Sequence, residues 1–356
     1  MAGRARMLAN ADAVLRRAWH PVARGNEVTT APLRTRLLGD DWVVVRLPEP
    51  PGATTLAAFL DRCPHRFAPL SAGTVDGSML RCGYHGWCFD ASGTCREIPA
   101  LGDAEHIPPR AVATVPAGLA ERHGMVFLAP DPPLTELLDI PEADDASFVH
   151  GTLEPITARV GAGLMIDNFL DMAHFPFVHA ATIGTAESAT FELAVERQDL
   201  GMRVHSRHPF PNREDPGVAA GIRPLLQERV LEYRYRAPFS ICLRIDYVEA
   251  GGTNVLDFYV QPEDDETCRI YTTVHRNDLG GDEARLAECI AFERKIVDED
   301  LALQERYRDR RLPLDVTAEV HVKADRMTIE LRRILADLVA RSEAAATATT
   351  TGGSHA

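Results

Sequence analysis

Two short mixed motifs constrain this chain more than any other feature. Cys63-Pro-His65-Arg66 carries a cysteine and a histidine two residues apart, and Cys82-Gly-Tyr-His85-Gly-Trp87 carries a cysteine and a histidine three residues apart. Sixteen residues, 66–81, separate His65 from Cys82. Two loops of this kind can set four ligands around one small iron–sulfur cluster, with two thiolates on one iron and two imidazoles on the other. Exchanging two thiolates for neutral histidines reduces the negative charge of the ligand set and raises the reduction potential, which suits an electron acceptor. Zinc fingers use the same residue types, but they pair cysteine with cysteine and histidine with histidine. Here each loop mixes the two. Gly83 and Gly86 suit tight loops with N–H groups turned toward sulfur, and ring edges of His65 and His85 offer an exit for an electron.

A second constellation runs Asp167-Asn168-Phe169-Leu170-Asp171-Met172-Ala173-His174-Phe175-Pro176-Phe177-Val178-His179. Two histidines and one carboxylate on one face of an iron leave the other positions open. His174 and His179 are five residues apart, which on a regular helix separates them by roughly 140°. Both can reach one ion only if the helix breaks or bulges, and Pro176 in the gap is expected to cause the break. The third ligand is sought in Val297-Asp298-Glu299-Asp300-Leu301, where a solvated acidic helix face is the competing reading.

The 356 residues suit two domains, and 45% hydrophobic with 25% charged residues is ordinary globular composition. The expected division is a flexible start at 1–14, a small β-domain at 15–130, a second domain at 131–341 and a low-complexity, disordered tail at 342–356. Leu15–Val22 reads as the end of a short helix broken by Pro21. Leu37–Leu47 reads as strand, a two-Asp turn and strand, and Gly124–Pro130 as a closing strand. Residues 131–146 make a Pro- and acid-rich linker. Leu164–His179 looks helical. Alternation in Leu231–Tyr235, Ile241–Tyr247, Val255–Val260 and Ile270–His275 predicts an antiparallel sheet with one buried face. Asp282–Arg310 and Arg326–Ala340 read as helices, and the Pro- and Gly-containing segment Arg207–Arg223 as a lid.

A net charge of −14 argues against nucleic acid and against an anionic membrane surface as partners. The N-terminus lacks the apolar core of a secretory signal, and no apolar run is long enough to span a bilayer. Seven cysteines without a secretory context favour metal ligation in the motifs and a reducing cytoplasm. Cys88 and Cys95 read as free thiols in a loop, and Cys242, Cys268 and Cys289 as core or strand residues. His20, Trp19 and His150 are candidates for the core, and Met165, Phe169 and Phe239 are expected in the core in preference to a role in specificity. His205, His208 and His275 fall on expected strands, facing either a cavity or solvent.

The CPHR and C-x-YHGW motifs, followed by N-x2-D-x2-H-x4-H, resemble the oxygenase (alpha) subunit of Rieske non-haem iron oxygenases. The resemblance runs from LRRAWHPV to about residue 340 and is similar to the vanillate, dicamba and methylxanthine demethylase branch. It implies an α+β chain: an antiparallel β Rieske domain, then a catalytic domain with a curved antiparallel sheet flanked by helices, of helix-grip (START-like) type. It implies that Cys63, His65, Cys82 and His85 hold a [2Fe–2S] cluster and that His174 and His179 hold Fe(2+). Asp171 then matches the carboxylate that links this iron to a cluster histidine of a neighbouring subunit, and Asn168 a position lining the iron pocket. The E-D-x4-E pattern of that branch favours Asp300 as third ligand, with Glu305 following and Asp298 as the alternative. The resemblance further implies a ring-shaped homotrimer and a separate reductase that passes electrons from NAD(P)H through flavin and a ferredoxin-type cluster. With O2, such a subunit hydroxylates a C–H bond of a small organic substrate, with O- or N-demethylation the leading reaction and ring or steroid-type hydroxylation the second. A reading of another class is a Rieske electron carrier with a ligand-binding domain, which would hold two irons per chain and not three.

Overall fold

The structure is a computed structural model that describes residues 6–49, 51–101, 106–184, 192–213 and 215–352. The first five residues, the last four and Glu214 of the segments discussed above lie outside the described residues. The chain divides into two compact units. One is Leu15–Leu134, and the other runs from Thr135 onward and includes the residues before Leu15.

The first unit is three small antiparallel sheets. Leu33–Leu37, Asp40–Glu49 and Ala53–Leu60 form one, built on the β-branched run Val43-Val44-Val45 that favours strand. The turn between its first two strands is Leu38-Gly39, with φ of 53° and 85°, a twist that matches the flanking strands. Asp40 and Asp41 therefore open the second strand and do not make the turn. Gly118–Arg122, Met125–Ala129 and His20–Arg24 form another sheet. Pro21 is thus a strand residue, and only Ala13–Arg17 before it is helical, as a 3-10 turn. The third sheet orders Thr74–Asp76, Met79–Arg81, Cys88–Phe89 and Cys95–Glu97. Cys88 and Cys95 are free, as expected, but they are buried strand residues. Val43, Val45, Phe59, Leu80 and Phe89 form the core, and the Cys63 and Cys82 side chains close one edge of it.

The second unit is dominated by an eight-stranded antiparallel sheet. Seven strands follow the spatial order Val149–Thr152, Cys268–Arg276, Thr253–Pro262, Ser240–Tyr247, Leu226–Arg236, Gly201–Pro211, Ala194–Gln198, and Ile156–Ala158 pairs with Cys268–Arg276. Each alternating stretch found in the sequence is the centre of one of these strands. The helix Glu283–Gln304 begins at Asp282, whose side chain accepts from the N–H groups of Ala284 (3.0 Å) and Arg285 (3.1 Å), an N-cap that satisfies otherwise orphaned donors.

Three expectations fail at the edges of this unit. Met7–Leu8 pairs with Leu312–Pro313, and the buried Asn10 amide donates to the carbonyls of Val160 (3.2 Å) and Thr267 (3.1 Å), so the described part of the start, residues 6–14, is stitched in and not flexible. The last helix runs Arg326–Gly352 and takes in most of the tail expected to be disordered. Alanine is the best helix former, and extending an existing helix avoids the cost of nucleation. Ser342 is buried and donates to the Val14 carbonyl at 3.0 Å. The linker also packs: Glu142 is buried, accepting from Arg234 (2.7 Å) and Arg244 (2.9 Å). In the segment expected as a lid, Arg207–Pro211 continues a strand and Pro216–Ala219 makes a helical turn, with Asp215 accepting from Arg223 Nε at 2.6 Å.

Candidate metal centres

In the first unit the two motif loops bring their four polar side chains together in like pairs. Cys63 and Cys82 are side by side at the core edge, and the His65 and His85 rings meet edge to face with centroids 4.5 Å apart. Each loop is closed by its own backbone. Phe67 N–H donates to Cys63 C=O (2.9 Å), Cys82 N–H to Trp87 C=O (2.8 Å) and Gly86 N–H to Cys82 C=O (3.1 Å). Gly86 has φ +74°, a left-handed conformation that side chains disfavour, and the Ala72 carbonyl lies 2.6 Å from where a Cβ on Gly83 would sit. Trp87 stacks on His65 at 4.6 Å and 7°. His65 Nδ1 is buried without a hydrogen-bond partner, whereas His85 is exposed. Burial raises the Cys63 thiol to about 11, against a lowering backbone N–H of His65. A thiolate at this position therefore needs a cationic centre, and coordination to a metal deprotonates such a thiol outright. Two adjacent sulfurs, two adjacent imidazoles and an orphaned ring nitrogen fit a [2Fe–2S] cluster.

In the second unit the helical segment breaks, but not at Pro176. The first helix is Ala162–Phe169, Leu170 ends it, and a four-residue helix Phe175–Val178 follows. Pro176 lies in the first turn of that second helix, where a missing N–H costs nothing. His174 is the residue before it and His179 the residue after it, so the two histidines flank one helical turn and their ring centroids are 5.0 Å apart. Their Nε2 atoms converge on Asp300 Oδ1, His174 at 3.5 Å and His179 at 3.1 Å. His174 Nε2 and Asp300 Oδ1 are both buried and satisfy no hydrogen bond. His174, His179 and Asp300 are the one group among the described residues whose ligand atoms all lie within 4.8 Å of one another. An orphaned, convergent two-histidine, one-carboxylate set is what a divalent iron requires.

The far edge of each ring is held by a second carboxylate. His174 Nδ1 lies 3.2 Å from Asp171 Oδ2, and His179 Nδ1 lies 2.8 Å from Glu299 Oε2, which also accepts from Thr182 Oγ1 at 2.8 Å. Burial would raise Asp300, but the two histidines outweigh it and hold its carboxyl at about 2. Burial would lower His174, and Asp171 with Asp300 outweigh it, raising it to about 9. Asn168 accepts from Gln304 Nε2 at 2.9 Å, and its side chain also helps to lower the Asp300 carboxyl. Asp298 faces away: it is half exposed and pairs with Arg294 at 2.9 Å. Glu305 leaves the cluster as well and accepts from Arg159 N–H at 3.2 Å.

The cluster opens onto an apolar cavity. Phe169, Tyr233, Leu231, Leu243, Leu256 and Phe210 form much of its wall. Phe169, expected in the core, is a wall residue stacked on Phe258 at 4.6 Å, while Met165 and Phe239 are buried as expected. His205, His208 and His275 are absent from that wall. His275 is instead buried between Asp257 (Nε2 to Oδ2, 2.7 Å) and His150 (Nδ1 to Nδ1, 2.7 Å). Glu299 was missed in the sequence, although it stands beside Asp300 in the acidic run.

These two centres agree with what the chain is similar to. A family profile described as the Rieske [2Fe–2S] domain matches residues 18–116, and one described as the vanillate O-demethylase oxygenase C-terminal domain matches residues 158–341. The chain belongs to the Rieske oxygenases. It is 29% identical to the methylxanthine N1-demethylase NdmA of Pseudomonas putida, over 91% of this chain and 89% of that protein. It is 27% identical to the vanillate O-demethylase oxygenase subunit of a Pseudomonas species, over 93% and 96%. The solved structure of Pseudomonas putida CBB5 NdmA with caffeine aligns with a TM-score of 0.79 at 27% identity, covering 91% of each chain. Dicamba monooxygenase bound to dicamba, at 22% identity and a TM-score of 0.78, shares the fold. This Rieske oxygenase uses a [2Fe–2S] cluster and a catalytic non-haem iron, draws its electrons from a separate reductase and acts as a monooxygenase on a small molecule. Among the described residues no helix is long and apolar enough to cross a membrane.

Proposed function

We infer that this oxygenase removes a methyl group from oxygen or nitrogen of a planar small molecule held in the apolar cavity. The observation that carries the reading is the convergence of His174 Nε2, His179 Nε2 and Asp300 Oδ1 at the wall of that cavity. In this reading Cys63, His65, Cys82 and His85 hold the cluster, and His174, His179 and Asp300 hold the iron. Iron bound there supplies the activation of O2 that hydroxylates a C–H bond, and a hydroxylated O- or N-methyl group then collapses to formaldehyde.

The chain's own residues do the rest. Asp171 and Glu299 fix the ring orientation of the two histidines, as carboxylates behind metal-binding imidazoles do. Asn168 and Gln304 steady Asp300 from the other side. The aromatic and aliphatic wall excludes water and presents flat surfaces to a planar ring. Asp171 keeps part of its carboxylate exposed while holding His174, which supports its assignment as the link to a cluster histidine of a neighbouring subunit. That assignment carries with it a homotrimer, closed by a head-to-tail contact, and a cytoplasmic setting in which the seven thiols stay reduced.

Iron content and product analysis test the reading. The purified protein should hold three irons per chain, and with a surrogate ferredoxin reductase it should release formaldehyde from methoxyarenes or N-methyl heterocycles. Hydroxylated products without formaldehyde would favour ring or steroid-type hydroxylation. Light scattering should give a mass near three times 39.1 kDa.

A further inference from the structure

Four arginines are buried among the described residues: Arg229, Arg234, Arg276 and Arg332. Three of them are paired with carboxylates. Arg234 meets Glu142 at 2.7 Å, Arg276 meets Asp278 at 2.9 Å and Arg332 meets Glu319 at 2.7 Å. Arg229 has no carboxylate partner among the described residues. Its Nη2 donates to the Pro211 carbonyl at 3.2 Å, and its Nε is buried with no partner at all. The guanidinium carbon lies 5.0 Å from the centre of the Tyr247 ring and 5.7 Å from that of Phe210. Such cation–π contacts offset only part of the cost of burying a charge.

Arg229 also lines the apolar cavity next to the iron-type cluster. Arg229, Leu231 and Tyr233 alternate along one strand and share one face of the sheet, so the charge stands at one end of an otherwise apolar strip. Tyr233 is near the cluster end, with its ring 6.4 Å from that of Phe169. Arg229 is four residues further on, about 13 Å along the strand. Asn254 lies across the sheet from Ile245, is 2% exposed, lines the same cavity, and its side-chain oxygen has no hydrogen-bond partner. Its amide can be turned to offer either N–H or C=O. Glu293 and Asp300 are the acidic residues that the helix Glu283–Gln304 brings to the cavity wall.

We propose that Arg229, seconded by Asn254, is the anchor for an anionic head group of the substrate, a carboxylate or sulfonate. The substrate class is then an aromatic acid whose oxidisable methyl group projects from the end of the ring remote from the acid. This rests on the reading of the cavity as the substrate site. The planar guanidinium fork matches a carboxylate or sulfonate, and its free Nε–H together with an Nη–H can bind two oxygens at once. The aromatic body lies along Leu231, Ile245 and Tyr233, which brings its far end to the histidine cluster.

Calorimetric titration of the metal-loaded protein with 4-methoxybenzoate, 3-methoxybenzoate and 4-methoxybenzenesulfonate, each against its neutral amide, tests the proposal. At least one acid should bind ten-fold or more tighter than its amide. Arg229→Gln should weaken the acid by about 10- to 100-fold, the range for a hydrogen bond to a charged group, and leave the amide unchanged. Arg229→Lys should retain part of the preference, because the charge remains and the fork is lost. Equal binding of acid and amide by the unaltered protein overturns the proposal without recourse to any variant, and so does a preference that survives Arg229→Gln or the failure of every acid to bind. Formaldehyde from neutral methoxyarenes with no preference for acids would sink the anchor and leave the oxygenase reading standing. Binding of acids that depends on Arg229, with no oxygenated product from any probe, would do the reverse.

Discussion

His179 is gripped on both ring edges by consecutive residues of one helix: Glu299 Oε2 lies 2.8 Å from its Nδ1 and Asp300 Oδ1 lies 3.1 Å from its Nε2. The helix that brings Asp300 to the two histidines thus also fixes the tautomer and the angle of the His179 ring that would share a metal with it. Carboxylates in this position raise the basicity of a ligating imidazole. Glu299→Ala should therefore weaken iron retention by about 10- to 100-fold. Chelator challenge followed by iron analysis reads the effect, and the visible absorbance of the cluster should not change. Retention equal to that of the unaltered protein would remove Glu299 from the site.

Asp300 and Asp298 separate cleanly. Asp300→Ala should bring the iron content from three to two per chain, keep the cluster absorbance and abolish product. Asp298→Ala should keep three irons, because its exposed pair with Arg294 is worth no more than about 0.5 kcal/mol. The opposite pattern would exchange the two assignments.

Asp171→Asn should keep both metal centres and lower product formation by about 10- to 100-fold, the usual cost of losing a carboxylate behind a metal-binding histidine. Pre-reduced protein in a single-turnover experiment should show the cluster failing to reoxidise at the normal rate. Normal reoxidation would mean that Asp171 serves only to orient His174.

Among the cysteines, Cys82→Ala should abolish the cluster absorbance. Cys88→Ala and Cys95→Ala should leave it unchanged, since those buried thiols sit on strands and donate to the carbonyls of Gly86 and Glu97. Loss of the cluster in either strand variant would contradict the four-ligand assignment.

Acid sensitivity should trace to Glu142. Burial would raise its pKa, but Arg234 and Arg244 outweigh this and hold it at about 2, below the ordinary 4.5. A depressed carboxylate stabilises the fold above its ordinary pKa, and that contribution is lost as the pH falls from 4.5 toward 2. Glu142→Gln should cost about 3 kcal/mol at pH 7, since it leaves two guanidiniums without their shared charge. The gap between the two urea midpoints should narrow below pH 4.5, and a gap independent of pH would refute the account.

Local chemistry made much of this legible before any fold was known. The cluster motifs hold their ligands within short loops, so spacing alone confines them. Alternation along Ile241–Tyr247 or Val255–Val260 reports a sheet because successive side chains face opposite sides. Pro176 misled for a local reason too: proline is expected to break a helix, yet at the first turn it begins one.

By itself the sequence marked the two motif segments, the order of the two domains and the strands of the second. Tertiary structure decided that Glu299 and Asp300 face the histidines and that Asp298 does not, because neighbours on a helix point about 100° apart and only packing selects which of them turn inward. It also decided that Arg229 is buried without a countercharge among the described residues. That depends on which strands lie beside Leu226–Arg236, and pairings across the sheet join residues far apart in the chain.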